Sequence, residues 1–149
     1  MRAWPAPHLP VVPGEPISLR LHDVARDKVA PVEPEGAARL YVCGVTPYDT
    51  THMGHAATYV TFDLVGRALR DGGRPVTYVQ NVTDVDDPLF ERAARDGVDW
   101  RDLGSEQIAL FLEDMTALGV IPPDHFMGVM ESMPQIIEAV QRLVDRHVT

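Results

Sequence analysis

The chain has 149 residues, 45% of them hydrophobic and 23% charged, and carries a formal net charge of −9. This length supports one compact domain with its own core, and the balance of residues excludes a disordered or fibrous chain. No apolar run approaches the roughly 20 residues that cross a bilayer, and the first residues lack the basic-then-apolar pattern of a secretory signal, so a cytoplasmic protein with no membrane partner is expected. The acidic balance, with Lys28 as the only lysine, argues against nucleic acid as a partner of this segment, because phosphate backbones are met by clustered Lys and Arg.

Residues 1–38 form the first unit. Pro5, Pro7, Pro10, Pro13, Pro16, Pro31 and Pro34 fix φ and remove backbone donors, which predicts an extended arm rather than helix. Within it, Ile17-Ser18-Leu19-Arg20-Leu21 alternates apolar and polar, as a short edge strand would. The arm is read as packing without a catalytic role.

Residues 39–149 form the second. Leu40-Tyr41-Val42-Cys43 is strand-like, and the segment from about Gly54 to Asp71 is apolar on most faces, which predicts a helix buried nearly all round. Gly72-Gly73 and Pro75 end it. The β-branched and aromatic run Val76 to Val82 is a second strand. Strand, helix, strand makes a βαβ unit, hence a parallel α/β sheet, and ligands of such sheets sit beyond the carboxyl ends of the strands. Those ends are Cys43 to Thr46 and Asn81 to Asp84.

The remainder reads as helices. Asp87-Pro88 is the expected N-cap and first helical residue before Leu89 to Arg95. Ile108, Phe111, Leu112, Met115 and Leu118 have helical spacing. Ser132 to Gln135 resembles a capping box before Ile136, Ile137, Val140, Leu143 and Val144. Both stripes are expected in the core.

Cys43 is the only cysteine, so it is a buried thiol, a nucleophile or a metal ligand. His52-Met53-Gly54-His55 stands where the first helix begins. Imidazoles at i and i+3 share one side of a helix, and a helix N-terminus with its unsatisfied N–H groups is a natural phosphate site. Gly54 between them allows a flat base or ribose to approach the backbone. This fits ATP, with His52 and His55 stabilising charge that develops on a transferring phosphate. Asp84, Asp86 and Asp87 could bind an amine, a magnesium ion, or cap the next helix. Capping is favoured for Asp87.

Three stretches in order, Cys43-Gly44-Val45-Thr46-Pro47-Tyr48-Asp49, His52-Met53-Gly54-His55-Ala56 and Tyr78 to Asp87, resemble the start of cysteinyl-tRNA synthetases. They are more similar still to the related cysteine ligases of mycothiol biosynthesis. Proline after Thr46, His55 where the synthetases usually carry asparagine, and Ala56-Ala57-Thr58 favour the ligases, as does the excess of Arg over Lys expected of a GC-rich genome. The resemblance implies the N-terminal part of a Rossmann-like nucleotide-binding domain of the class I synthetase (HUP) type. It implies that His52 and His55 match the catalytic "HIGH" signature and that Cys43 is the first ligand of a catalytic zinc. Cys43, Gly44, Val45, Thr46, Gly54, Thr58, Asn81, Val82 and Thr83 would then line the ATP and cysteinyl-adenylate site.

The implied substrates are L-cysteine, ATP with magnesium, and glucosaminyl-inositol rather than tRNA, acted on by a monomer. A thiolate-bound zinc would select cysteine over serine, the harder ligand. The family's other zinc ligands and its lysine-rich "KMSKS" loop do not occur here, so the chain alone is expected to be inactive.

Overall fold

The computed structural model describes every residue except Val12, His147 and Thr149. Its elements are β1 (Arg20–Asp23), β2 (Lys28–Pro31), β3 (Ala38–Val45), α1 (Met53–Asp71), β4 (Val76–Val82), α2 (Asp87–Asp96), α3 (Trp100–Ala117), β5 (His125–Gly128) and α4 (Val129–Asp145). The larger sheet has the order β3-β4-β5 and both pairings are parallel, as the βαβ reading requires. β4 occupies the expected residues, Val76–Val82.

Period-two alternation decides which face of this sheet is packed. Val42, Tyr78, Val82 and Phe126 turn to one side, where Tyr59 of α1 and Phe111 and Met115 of α3 meet them in one apolar cluster. α1 buries Tyr59, Val65, Gly66 and Leu69, while Leu64 on its other side is 61% exposed. The expected all-round burial of this helix is therefore corrected to burial of one face.

The N-terminal arm is tied into the same core. Trp4 is buried, meets Phe111 and Phe126 edge-on with ring centroids 5.8 Å apart, and donates its indole N–H to Val120 O at 2.8 Å. The strand expected at Ile17 starts instead at Arg20, and β1 pairs antiparallel with β2. The partner strand went unread because Lys28–Pro31 has four residues and ends in proline. Between the two, the Asp23 carboxylate accepts from Ala25 and Arg26 N–H, holding the turn.

Further differences concern the second half. Asp86, not Asp87, caps α2, its Oδ1 accepting from Asp87 N–H at 3.0 Å. β5 was not foreseen: four residues, one place after the pair Pro122-Pro123, carry too little alternation to read. α4 starts at Val129 rather than after Ser132, with Gly128 N–H donating to Glu131 Oε1 at 3.2 Å and Ser132 inside the helix. The stripe Ile136 to Val144 is not core, since no described residue of α4 is buried. No helix among the described residues is long and apolar enough to cross a membrane.

Candidate functional site

β3 and α1 deliver the two histidines together at the carboxyl end of the sheet. His52 is the N-cap of α1, and its Nδ1 accepts from Gly54 N–H at 3.0 Å. His55 returns the contact, its Nδ1 accepting from His52 N–H at 3.3 Å. This is a capping box built from imidazoles, so the pair satisfies two orphan helix donors at once. The rings lie 4.1 Å apart and 32° from parallel.

The capping contacts fix the chemistry of the rings. A neutral imidazole whose Nδ1 accepts carries its proton on Nε2. The remaining donor of each ring is therefore its Nε2–H. Partial burial, and then the neighbouring His52, hold His55 below its ordinary pKa. His55 is thus neutral at pH 7 and acts as a hydrogen-bond donor, not a fixed cation. A side chain at position 54 would place its Cβ 2.8 Å from His52 Cε1, so Gly54 keeps the pair in contact.

The tip of β3 is shaped by Asn81. The parallel register of β3 and β4 slips between Val42 and Val45, and the Asn81 side-chain oxygen fills the irregularity. It accepts from Gly44 N–H and from the Tyr41 hydroxyl, each at 2.9 Å. A Cβ on Gly44 would sit 1.4 Å from Asn81 O, so only glycine fits. Cys43 is exposed and falls on the sheet face opposite the buried Val42. Tyr59 of α1 donates its hydroxyl to Cys43 O at 3.4 Å, linking the two parts of the site.

The structure sorts the other expected residues. Val45 and Val82 are buried in the core, so only their backbone can face a ligand. Val45 O accepts from Thr83 N–H at 3.0 Å, which joins the two strand tips. Thr46 donates to Asp86 Oδ2 at 3.3 Å, and Thr83 Oγ1 accepts from Asn81 Nδ2 at 3.3 Å. Thr58, exposed one turn into α1, donates back to Gly54 O at 3.0 Å. Asp84 accepts from Met130 N–H at 2.9 Å and so caps α4.

Residues outside the expected set hold the loop between β3 and α1. Arg92 of α2 bridges Asp49 at 3.1 Å and Asp96, and Thr51 donates to Asp114 of α3. The Thr50 N–H and the Arg92 guanidinium keep the Asp49 carboxyl below the usual range. These partners are far apart in sequence, and no local spacing announces them. A cleft of about 380 Å³ lined by Thr51, His52, Met53, Ala56, Asp114 and Leu118, among others, opens beside the pair.

No group of three or more His, Cys, Asp or Glu side chains among the described residues could hold a metal ion. Cys43 offers one thiol where a zinc centre needs three or four protein ligands. The residues present do not by themselves make a zinc site.

A three-stranded parallel sheet flanked by helices, with the start of α1 beyond its carboxyl edge, defines a Rossmann-like α/β fold. Residues 29–149 match the tRNA synthetases class I (C) catalytic domain, and the chain belongs to that family. Its curated relatives include the L-cysteine:1D-myo-inositol 2-amino-2-deoxy-alpha-D-glucopyranoside ligases of Gordonia bronchialis, 63% identical, and Nocardia farcinica, 62% identical, each over 97% of this chain and 35% of the relative. That of Streptomyces avermitilis is 59% identical over 97% of the chain and 36% of the relative. These relatives bear the name of the mycothiol cysteine ligase, and the chain spans about a third of their length, the N-terminal part. The fold is also similar to that of Mycobacterium tuberculosis methionyl-tRNA synthetase in complex with methionyl-adenylate, with a TM-score of 0.56 and 23% identity over 62% of this chain and 18% of that one.

Proposed function

We propose that this chain is the nucleotide-binding part of a cytoplasmic cysteine ligase that activates L-cysteine with ATP and transfers it to the amine of glucosaminyl-inositol. The observation that carries the reading is the His52–His55 pair at the start of α1, with both Nδ1 atoms accepting backbone N–H groups, so that Nε2–H is the donor left to each ring. The names of the relatives at about 60% identity supply the acceptor.

In the first step the cysteine carboxylate attacks the α-phosphorus of ATP, forming the acyl-phosphate bond of cysteinyl-adenylate as the bond to pyrophosphate breaks. Magnesium travels with the nucleotide and neutralises its phosphates. His52 and His55 donate their Nε2–H groups to the oxygens on which charge builds, and the first N–H groups of α1 add a favourable dipole. In the second step the acceptor amine attacks the acyl carbon, AMP leaves, and the amine gives up a proton. Gly44 and Gly54 keep side chains away from the path of the adenylate. Thr46, Thr58, Asn81 and Thr83, with the backbone of Val45 and Val82, form its walls.

Cys43 is proposed as one ligand of a zinc centre completed by residues outside this chain. The isolated chain, acting as a monomer, is accordingly proposed to be inactive. A second reading is favoured by the family itself, whose description names tRNA synthetases: the acceptor would be tRNA.

The test is a continuous polypeptide in which this chain replaces the matched segment of the Gordonia bronchialis ligase. Cysteine-dependent exchange of pyrophosphate into ATP, followed by ligation to glucosaminyl-inositol and no charging of tRNA, is the expected result. Charging of tRNA alone would overturn the acceptor, and cysteine-dependent exchange by the isolated chain would overturn its incompetence. Loss of one donor, as in His55→Ala, should lower the exchange rate about 100-fold or more.

A further inference from the structure

α4 is an amphipathic helix, and none of its residues is buried among the described residues. Met133, Ile136, Ile137, Val140, Leu143 and Val144 recur at spacings of three and four, which puts them on one stripe. Five of them are exposed, Ile137 by 62% and Val140 by 52%, while Glu138 and Arg142 pair with each other at 3.9 Å beside them. The hydrogen bonds that tie α4 to the body lie in its first turn: Met1 amine to Glu131, Gly128 N–H to Glu131, and Met130 N–H to Asp84. Burying aliphatic side chains is what normally keeps such a helix folded, and contiguous apolar patches of this kind mark contact surfaces.

A separate feature has the same form. Parallel sheets are found with both faces covered. Here α1 and α3 cover one face, whereas the other, with Tyr41 63% exposed and Met127 43% exposed, is open. Tyr41, Val79 and His125 are register partners across the three strands and share that face. Among the described residues, one face of the sheet and one stripe of α4 are thus left without a covering layer.

We propose that the stripe of α4 docks the polypeptide that the longer relatives have and this chain does not match. The choice of occupant rests on length and position. The match takes in 97% of this chain but 35% of the Gordonia relative, and α4 is its last element. The matched part is the N-terminal third of those relatives, so their remaining polypeptide follows it in the same chain and meets the stripe at high effective concentration. The proposal depends on the family relationship and not on the acceptor or on catalysis.

Hydrogen exchange on the isolated chain and on the chimeric Gordonia ligase described above tests it. Amides of residues 136–144 should exchange at least tenfold more slowly in the chimera. Ile137→Asp and Val140→Asp should leave the melting temperature of the isolated chain unchanged and lower that of the chimera. Equal exchange in the two proteins, or equal tolerance of both substitutions, would overturn the proposal. So would a dimer of the isolated chain that Ile137→Asp dissolves, which would make a second copy the occupant. A chimera that fails to fold also counts against it, because a 63% identical segment should present a fitting face. A chimera that protects α4 yet ligates nothing would keep this inference and sink the proposed function, so the two failures are distinguishable.

Discussion

His52 and His55 hold each other through the backbone: the ring of His55 accepts the N–H of His52, and the ring of His52 accepts the N–H of Gly54. The start of α1 and the orientation of both imidazoles are therefore one structural unit. Removing either ring loosens the helix end as well as removing a donor.

The first prediction concerns charge. His55 lies below its ordinary pKa because of partial burial and then because of His52. A depressed histidine stabilises the fold above the unfolded pKa, near 6.5, and loses that contribution as pH falls through the folded value. His52→Ala removes the second cause, so the His55 midpoint should rise part of the way towards 6.5 in an NMR titration. Loss of a cap should also cost about 1 kcal/mol in urea unfolding.

A second prediction follows from the approach of Gly44 to Asn81. Gly44→Ala would place Cβ 1.4 Å from a backbone oxygen, and β3 and β4 can relieve this only by separating. Urea denaturation should show a loss of about 3 kcal/mol or more. A loss below 1 kcal/mol would mean that the strand tips are not locked together.

Much of this site was legible in the sequence because its parts are local. A strand followed by His-x-x-His at a helix start places the imidazoles at the carboxyl edge without knowledge of the rest. Cys43, Gly44 and Asn81 were legible as strand ends through the β-branched runs that precede them. What lay hidden is long-range: Arg92 reaching Asp49, Asp84 capping α4, Tyr41 reaching Asn81. The stripe of α4 misled for a different reason. Periodicity shows that a face is apolar, but not whether this chain supplies what covers it.

Alkaline stability gives a third prediction. Burial, then the nearby Cys43, push the Tyr59 hydroxyl up to about 12, and burial also raises Tyr78. A tyrosine with a raised folded pKa contributes stability that is complete below the unfolded value, near 10, and is lost as pH rises towards the folded one. The fold should hold its stability to about pH 10 and weaken between about 10 and 12. Ultraviolet titration should show two of the four tyrosines ionising late, and Tyr59→Phe should remove one of them.

The arm gives a fourth. Trp4 fills the space between Phe111 and Phe126 and donates to Val120 O. Trp4→Ala should cost about 3–5 kcal/mol in equilibrium unfolding, as other large buried aromatic residues do. A change below 1 kcal/mol would show that the arm is not part of the core.

The most direct test of the central claim is a proton–nitrogen NMR spectrum of the histidine side chains, recorded at pH 7 with and without ATP. The account predicts that His52 and His55 both carry their proton on Nε2 in the free protein. It predicts that the two Nε2 signals move together as millimolar ATP is added. A proton on Nδ1 of either ring, or signals that ignore ATP while the chain stays folded, would contradict it.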